Sequence, residues 1–140
     1  MTLVIHHNPD RGTSRNVLEI IQASGVEPIV IKYLQSGWTR PQLLGLFAAA
    51  GLTPRSALRI TKSPAKELGL LDVSVPDEAL LDAMIAHPVL VNRPIVCCPK
   101  GVRLCRPSEA VLDLLETLPP GPLYKEDGQM ILNDMGERVD

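Results

Sequence analysis

The apolar positions change period twice within the first thirty residues. Leu3-Val4-Ile5 is a short continuous apolar run and predicts a strand over residues 2–6. After a polar stretch, Val17, Leu18, Ile20 and Ile21 recur on one face of a helix that starts near Ser14. Gly25 stands where a C-terminal cap is expected. Pro28-Ile29-Val30-Ile31 predicts a second strand, buried and short. Together these form a βαβ unit, for which parallel pairing and a right-handed crossover are the default.

The middle of the chain is helical in pattern. One helix runs from Thr39 or Arg40 through Leu43, Leu44, Leu46 and Phe47 to Gly51, and a single turn covers Pro54–Leu58. Ser63-Pro64 opens a capped segment leading to Leu68-Gly69, and Asp77–Ala86 repeats the pattern until His87-Pro88 stops it. Two apolar runs, Pro94–Cys98 and Val102–Cys105, then flank Pro99-Lys100-Gly101 and predict a β-hairpin. Pro107-Ser108-Glu109 opens a further helix carrying Val111, Leu112, Leu114 and Leu115, which Leu118-Pro119-Pro120-Gly121-Pro122 breaks. From Lys125 the tail predicts a charged, weakly amphipathic helix or a frayed end. The expected fold class is α/β: a mixed sheet flanked by helices, in one domain over residues 1–140. A helical insertion (about 35–88) separates a βαβ half from a ββα half, and a tail follows at about 119–140.

Composition narrows the function classes. A chain of 140 residues can bury a real core. Its 14 basic and 16 acidic side chains give a net charge of -2, which argues against a nucleic-acid surface but leaves room for a local positive pocket. No apolar run approaches the roughly 18 residues of a membrane span, and no signal-peptide pattern opens the chain. A cytoplasmic protein without membrane contact is expected. Cys97, Cys98 and Cys105 are an odd number and read as reduced thiols, and their spacing predicts no zinc site.

The chemistry concentrates in His6-His7-Asn8-Pro9-Asp10-Arg11-Gly12-Thr13-Ser14-Arg15-Asn16. A strand that breaks into a Gly/Ser/Thr loop and opens a helix aims backbone N–H groups and the positive end of the helix dipole at one spot, a ready anion site. Arg15 and the two imidazoles suit the same task. The plainer reading makes Asn8-Pro9 a turn, Thr13 or Ser14 an N-cap, Arg15 a solvated side chain and His6 a packing residue. Trp38 reads as packing or as a partner surface, and His87 as a local helix-end contact.

This loop resembles the active-site loop of the glutaredoxin-linked arsenate reductases, His-Asn-Pro-x-Cys-Gly-Thr-Ser-Arg-Asn, with Arg11 standing where that family carries its nucleophilic cysteine. Arg55-Ser56-Ala57-Leu58-Arg59, the segment from His87 to Val96, and Arg103-Leu104-Cys105-Arg106-Pro107-Ser108-Glu109 resemble further stretches of the same family. The resemblance implies a thioredoxin-like (glutaredoxin-like) fold, which the element order also fits. It implies an oxyanion site made of Gly12, Thr13, Ser14, Arg15, Arg59, Arg93 and Arg106, with His7 assisting at position 11. Arg93-Pro94 becomes a candidate cis peptide. No cofactor or metal is implied to be bound: glutathione serves as co-substrate and glutaredoxin as protein partner in reducing arsenate to arsenite. Planar guanidinium groups suit such a tetrahedral anion, and phosphate or sulfate would be held alike.

Arg11 departs from that pattern. Arginine stays protonated and offers no lone pair, so it performs neither nucleophilic nor redox work. It either adds a cation to the pocket or pairs with Asp10 or a tail carboxylate. The expected function is an arsenate-reductase-type oxidoreductase impaired at position 11, and the alternative is a non-catalytic oxyanion-binding or regulatory relative. A substitute thiol is disfavoured, because Cys105 and Arg106 should face opposite ways along a strand. Regulators of this fold that bind RNA polymerase carry Cys-x-x-Cys in the first loop, and positions 8 to 14 hold no cysteine.

Overall fold

Both ends of the chain contribute to one sheet. In the computed structural model, which describes residues 1–139, four strands run in the order β2-β1-β3-β4. They are β1 (Val4–His7), β2 (Ile29–Lys32), β3 (Ile95–Cys98) and β4 (Gly101–Leu104). β1 pairs parallel with β2 and antiparallel with β3, and β3 pairs antiparallel with β4. The chain divides into two compact units: Met1–Lys32 together with the chain from Arg93 onward, and Tyr33–Asn92.

In the first unit, helix α1 (Gly12–Ala23) lays Val17, Ile20 and Ile21 against Leu3, Ile5 and Val96 of the sheet. Period-2 alternation puts Leu3 and Ile5 on one face of β1, and Val96 lies directly opposite Ile5 across the β1–β3 pair. Val111, Leu112 and Leu114 complete this core, with Ile131 and Leu132 from the tail. Full burial of one such side chain contributes about 1.5–3 kcal/mol. Ser24 ends α1, and Gly25 takes the left-handed conformation (φ 91°) that a Cβ would oppose.

In the second unit, α2 (Tyr33–Ser36), α3 (Arg40–Ala50), α4 (Pro54–Ala57) and α5 (Asp77–Ala86) are set by local chemistry. Thr39 and Thr53 each form a capping box, with Gln42 and Ser56 as the reciprocal partners. Trp38 is buried, stacks on Tyr33 with ring centres 4.9 Å apart, and donates Nε1–H to the Pro88 carbonyl at 3.3 Å. It is a packing residue. Arg55 donates to the carbonyls of Leu70, Asp72 and Val75, and so ties down a stretch with few strand or helix bonds of its own.

Several expectations are corrected. β2 is not buried: it is the edge strand of the sheet, and Ile29 and Val30 are exposed. Residues 61–75 are turns rather than a helix. Ser108–Leu114 is a 3-10 helix: three residues per turn align Ser108, Val111 and Leu114 in one buried row. The expected tail extends to Asp140, which lies outside the described residues; as far as Val139 the tail is neither helical nor frayed. It forms a hairpin of β5 (Leu123–Tyr124) and β6 (Met130–Leu132), with the turn closed by Lys125 N–H donating to the Gln129 carbonyl at 2.8 Å. Among the described residues, no helix is long and apolar enough to cross a membrane.

Candidate oxyanion site

The β1–α1 loop is organised by Ser14. Its Oγ accepts from the Asn8 N–H at 3.0 Å and lies 2.6 Å from His7 Nδ1. Burial, and then the charges of Lys32 and Arg15, push the His7 imidazole below its ordinary pKa. One hydroxyl oxygen is thus shared between the His7 ring and the Asn8 backbone, which ties the end of β1 to the first turn of α1. Asn8 Oδ1 accepts from the Asp10 N–H at 3.0 Å and its carbonyl accepts from the Arg11 N–H at 3.2 Å, which turns the chain sharply into the helix.

α1 begins at Gly12, two residues before the sequence pattern placed it. Arg11 is its N-cap, in extended backbone and without a side-chain cap bond, so neither Thr13 nor Ser14 caps the helix. The first amides of the helix, at Gly12, Thr13 and Ser14, have no intrahelical acceptor and face the loop. Arg11 is half-buried, and its Nε is buried without a hydrogen-bond partner. The tail carboxylate offered to Arg11 by one sequence-based alternative belongs to Arg15 instead. Arg15 Nε and Nη2 donate to Glu126 at 2.8 and 2.9 Å, and Nη1 donates to the Pro9 carbonyl at 2.9 Å.

Strand register explains why Arg93 and Arg106 stand at this end of the sheet. His6 pairs with Ile95 and Ile95 with Leu104. One step further along each strand sets Pro94 opposite His7 and Cys105. The Cys105 N–H donates to the Pro94 carbonyl at 2.9 Å, and Arg106 Nη1 donates to the Arg93 carbonyl at 3.3 Å. The Arg93–Pro94 peptide is cis. Arg93 is buried and Arg106 exposed. Arg59 lies in the second unit, where it is buried, donates Nε–H to the Thr61 carbonyl at 2.9 Å, and follows the Leu58–Val91 bridge.

The thiols lie elsewhere. Cys105 is fully buried in the α1 core, and burial pushes its thiol up to about 12. Burial also raises Cys97. Cys98 donates to the Leu114 carbonyl at 3.4 Å. Cys105 and Arg106 lie just past the end of β4, the first buried and the second exposed. His6 is buried and bonded through Nδ1 to the Ile95 carbonyl at 3.1 Å, a packing role. Among the described residues, no three His, Cys, Asp or Glu side chains gather as a metal ion would need. Sequence reasoning missed Glu126, a lone glutamate that no motif marks, and gave Asn16 no role of its own. Asn16 accepts through Oδ1 from the Glu126 N–H at 3.0 Å.

Known proteins bear on this geometry. The model of the ArsC family matches residues 6–114. The chain is 67% identical over 137 residues to the arsenate reductase ArsI2 of Synechocystis sp., covering 98% of each chain. It is 47% identical to an arsenate reductase of Escherichia coli, covering 98% of this chain and 97% of that one. Among solved structures, an arsenate reductase from Vibrio cholerae superposes with a TM-score of 0.77 at 40% identity, covering 82% of this chain and 98% of that chain. The four-stranded mixed sheet with its helices is the thioredoxin-like fold of those proteins. On family model, sequence and fold together, the chain belongs to the ArsC family.

Proposed function

We propose that the β1–α1 loop binds arsenate or a similar tetrahedral oxyanion, in a scaffold built for glutathione- and glutaredoxin-linked arsenate reduction, and that reduction by this chain is impaired at Arg11. The observation that carries the reading is the Arg11 guanidinium. A buried cationic donor at Nε without an acceptor stands at the amino end of α1, beside amides that themselves need acceptors. An anion in that place would satisfy both. The His7–Ser14–Asn8 bonds hold the loop in shape for it, and Arg93 and Arg106 add cationic reach from the adjoining strand ends. Arg59 is assigned to the anion on family resemblance alone.

Reduction of arsenate to arsenite takes two electrons. The family resemblance supplies them through a loop thiolate that attacks arsenic and is then resolved by glutathione and glutaredoxin. Arg11 has no electron pair for that attack. Cys105 is buried with its proton held tightly, and Cys97 is shifted the same way, which supports a chain that binds without turning over. Three free thiols suit the reducing cytoplasm. The second reading, a non-catalytic oxyanion-binding or regulatory relative, draws on the same residue.

Calorimetric titration with arsenate at low ionic strength tests the site. Binding that weakens in Arg93→Ala and Arg106→Ala is expected, and no measurable heat in the parent chain contradicts the reading. With glutathione and glutaredoxin added, the parent chain should release no arsenite. Sustained release would contradict the impairment.

A further inference from the structure

Two residues of the first loop are held by the far end of the chain. Arg15 presents its guanidinium fork to both oxygens of Glu126, Nε to Oε2 at 2.8 Å and Nη2 to Oε1 at 2.9 Å. The Glu126 backbone N–H donates to Asn16 Oδ1 at 3.0 Å. α1 carries no acidic residue in its first turn, so the carboxylate from the tail hairpin is the counter-charge to this helix end, with Asp10 as a further negative neighbour of Arg15. A Cβ placed on Gly12 would lie 3.6 Å from Glu126 Oε1. The carboxylate is therefore within contact range of the first residue of α1. The family model's match ends at residue 114, so this contact comes from outside the matched region.

We propose that Glu126 is a built-in competitor of the oxyanion: an anion gains the Nε/Nη2 fork of Arg15 only by displacing the Glu126 carboxylate and loosening the tail hairpin. This rests on the reading of the first loop as an oxyanion site. A carboxylate and a tetrahedral oxyanion make the same demand on a guanidinium, two acceptor oxygens matched to two parallel N–H groups, and one fork serves one of them at a time. Arg15 spends its third bonded donor on the Pro9 carbonyl, so its head stays beside the loop whichever anion it holds. The pair is also replaceable. The Arg15 and Glu126 side chains are 44% and 41% exposed, and an ion pair open to water is weak and screened by salt. Once the carboxylate leaves, the ion pair of Lys125 with Glu109 at 2.7 Å still anchors the hairpin turn, while the Glu126 N–H bond to Asn16 loses its neighbouring support and opens more often. Coupling of this kind is reciprocal: whatever weakens the ion pair strengthens anion binding, and bound anion loosens the turn.

The test uses the full chain and sodium arsenate in calorimetry at low ionic strength. Glu126→Gln keeps the side-chain size and the backbone bond to Asn16 while removing the charge. It should bind arsenate about three- to fivefold more tightly than the parent. In an Arg15→Ala background, Glu126→Gln should add nothing. Hydrogen exchange at the Glu126 amide should quicken when arsenate saturates the parent chain. Equal or weaker binding by Glu126→Gln, with the parent binding, overturns the competing role alone and makes Glu126 a support for Arg15. A gain that persists without Arg15 also overturns it, as a general charge effect. No binding by any of these chains removes the oxyanion site and its competitor together.

Discussion

Ser14 is the residue on which the first loop turns, since one hydroxyl serves both the His7 ring and the Asn8 backbone. Removing it strands a buried N–H. Ser14→Ala should lower stability by about 1–3 kcal/mol, read as a shifted urea midpoint with an unchanged slope. An unaltered midpoint would show the hydroxyl to be dispensable. His6 and His7 are both held below their ordinary pKa, mainly by burial. The unfolded chain then takes up protons at about pH 6.5 while the folded chain does not, so stability is full above that pH and falls as acid passes through it towards the lowered folded values. Urea midpoints measured between about pH 7.5 and 5 should decline, and His7→Gln should flatten part of the decline. An NMR titration placing the His7 midpoint at or above the ordinary imidazole value would contradict this account.

At the scale of elements, β1, α1 and the β3–β4 hairpin were legible because each carries a clean period and a marked end: the Leu3–Ile5 run, the 17/18/20/21 face, and Gly101 between two apolar runs. The tail was misread. Its strands are only two and three residues long, too short for a period, and its true signal is Asp127-Gly128 at a hairpin turn, where Gly128 takes φ 91°. The 3-10 segment over Ser108–Leu114 was misread for a related reason, since seven residues cannot separate a period of 3.0 from one of 3.6. Gly121 is where the hairpin is most exposed to a change. A Cβ there would lie 1.7 Å from the Asn133 carbonyl oxygen, so backbone must move. Gly121→Ala should cost about 1–3 kcal/mol in thermal unfolding and speed hydrogen exchange over β5 and β6. Wild-type exchange in that variant would show the contact to be soft.

For the whole molecule, the net charge of -2 repels an anion, so the proposed capture has to rest on local cations of the first loop and the adjoining strand ends. Arsenate affinity should therefore drop severalfold as sodium chloride rises from about 20 to about 200 mM, where the screening length falls below about 10 Å. A salt-independent affinity would place binding elsewhere. The candidate site was legible only in part. The first loop is contiguous, so its residues announce themselves. Arg93 and Arg106 are ordinary arginines until strand register brings their backbones together, and Glu126, 111 residues from Arg15, carries no sequence mark at all. The most direct measurement of the central claim, a site complete but for its sulfur, is arsenite release by Arg11→Cys beside the parent chain, with arsenate, glutathione and glutaredoxin supplied to both. Turnover by the variant and none by the parent is the expected result. An inactive, folded variant that still binds arsenate would contradict it.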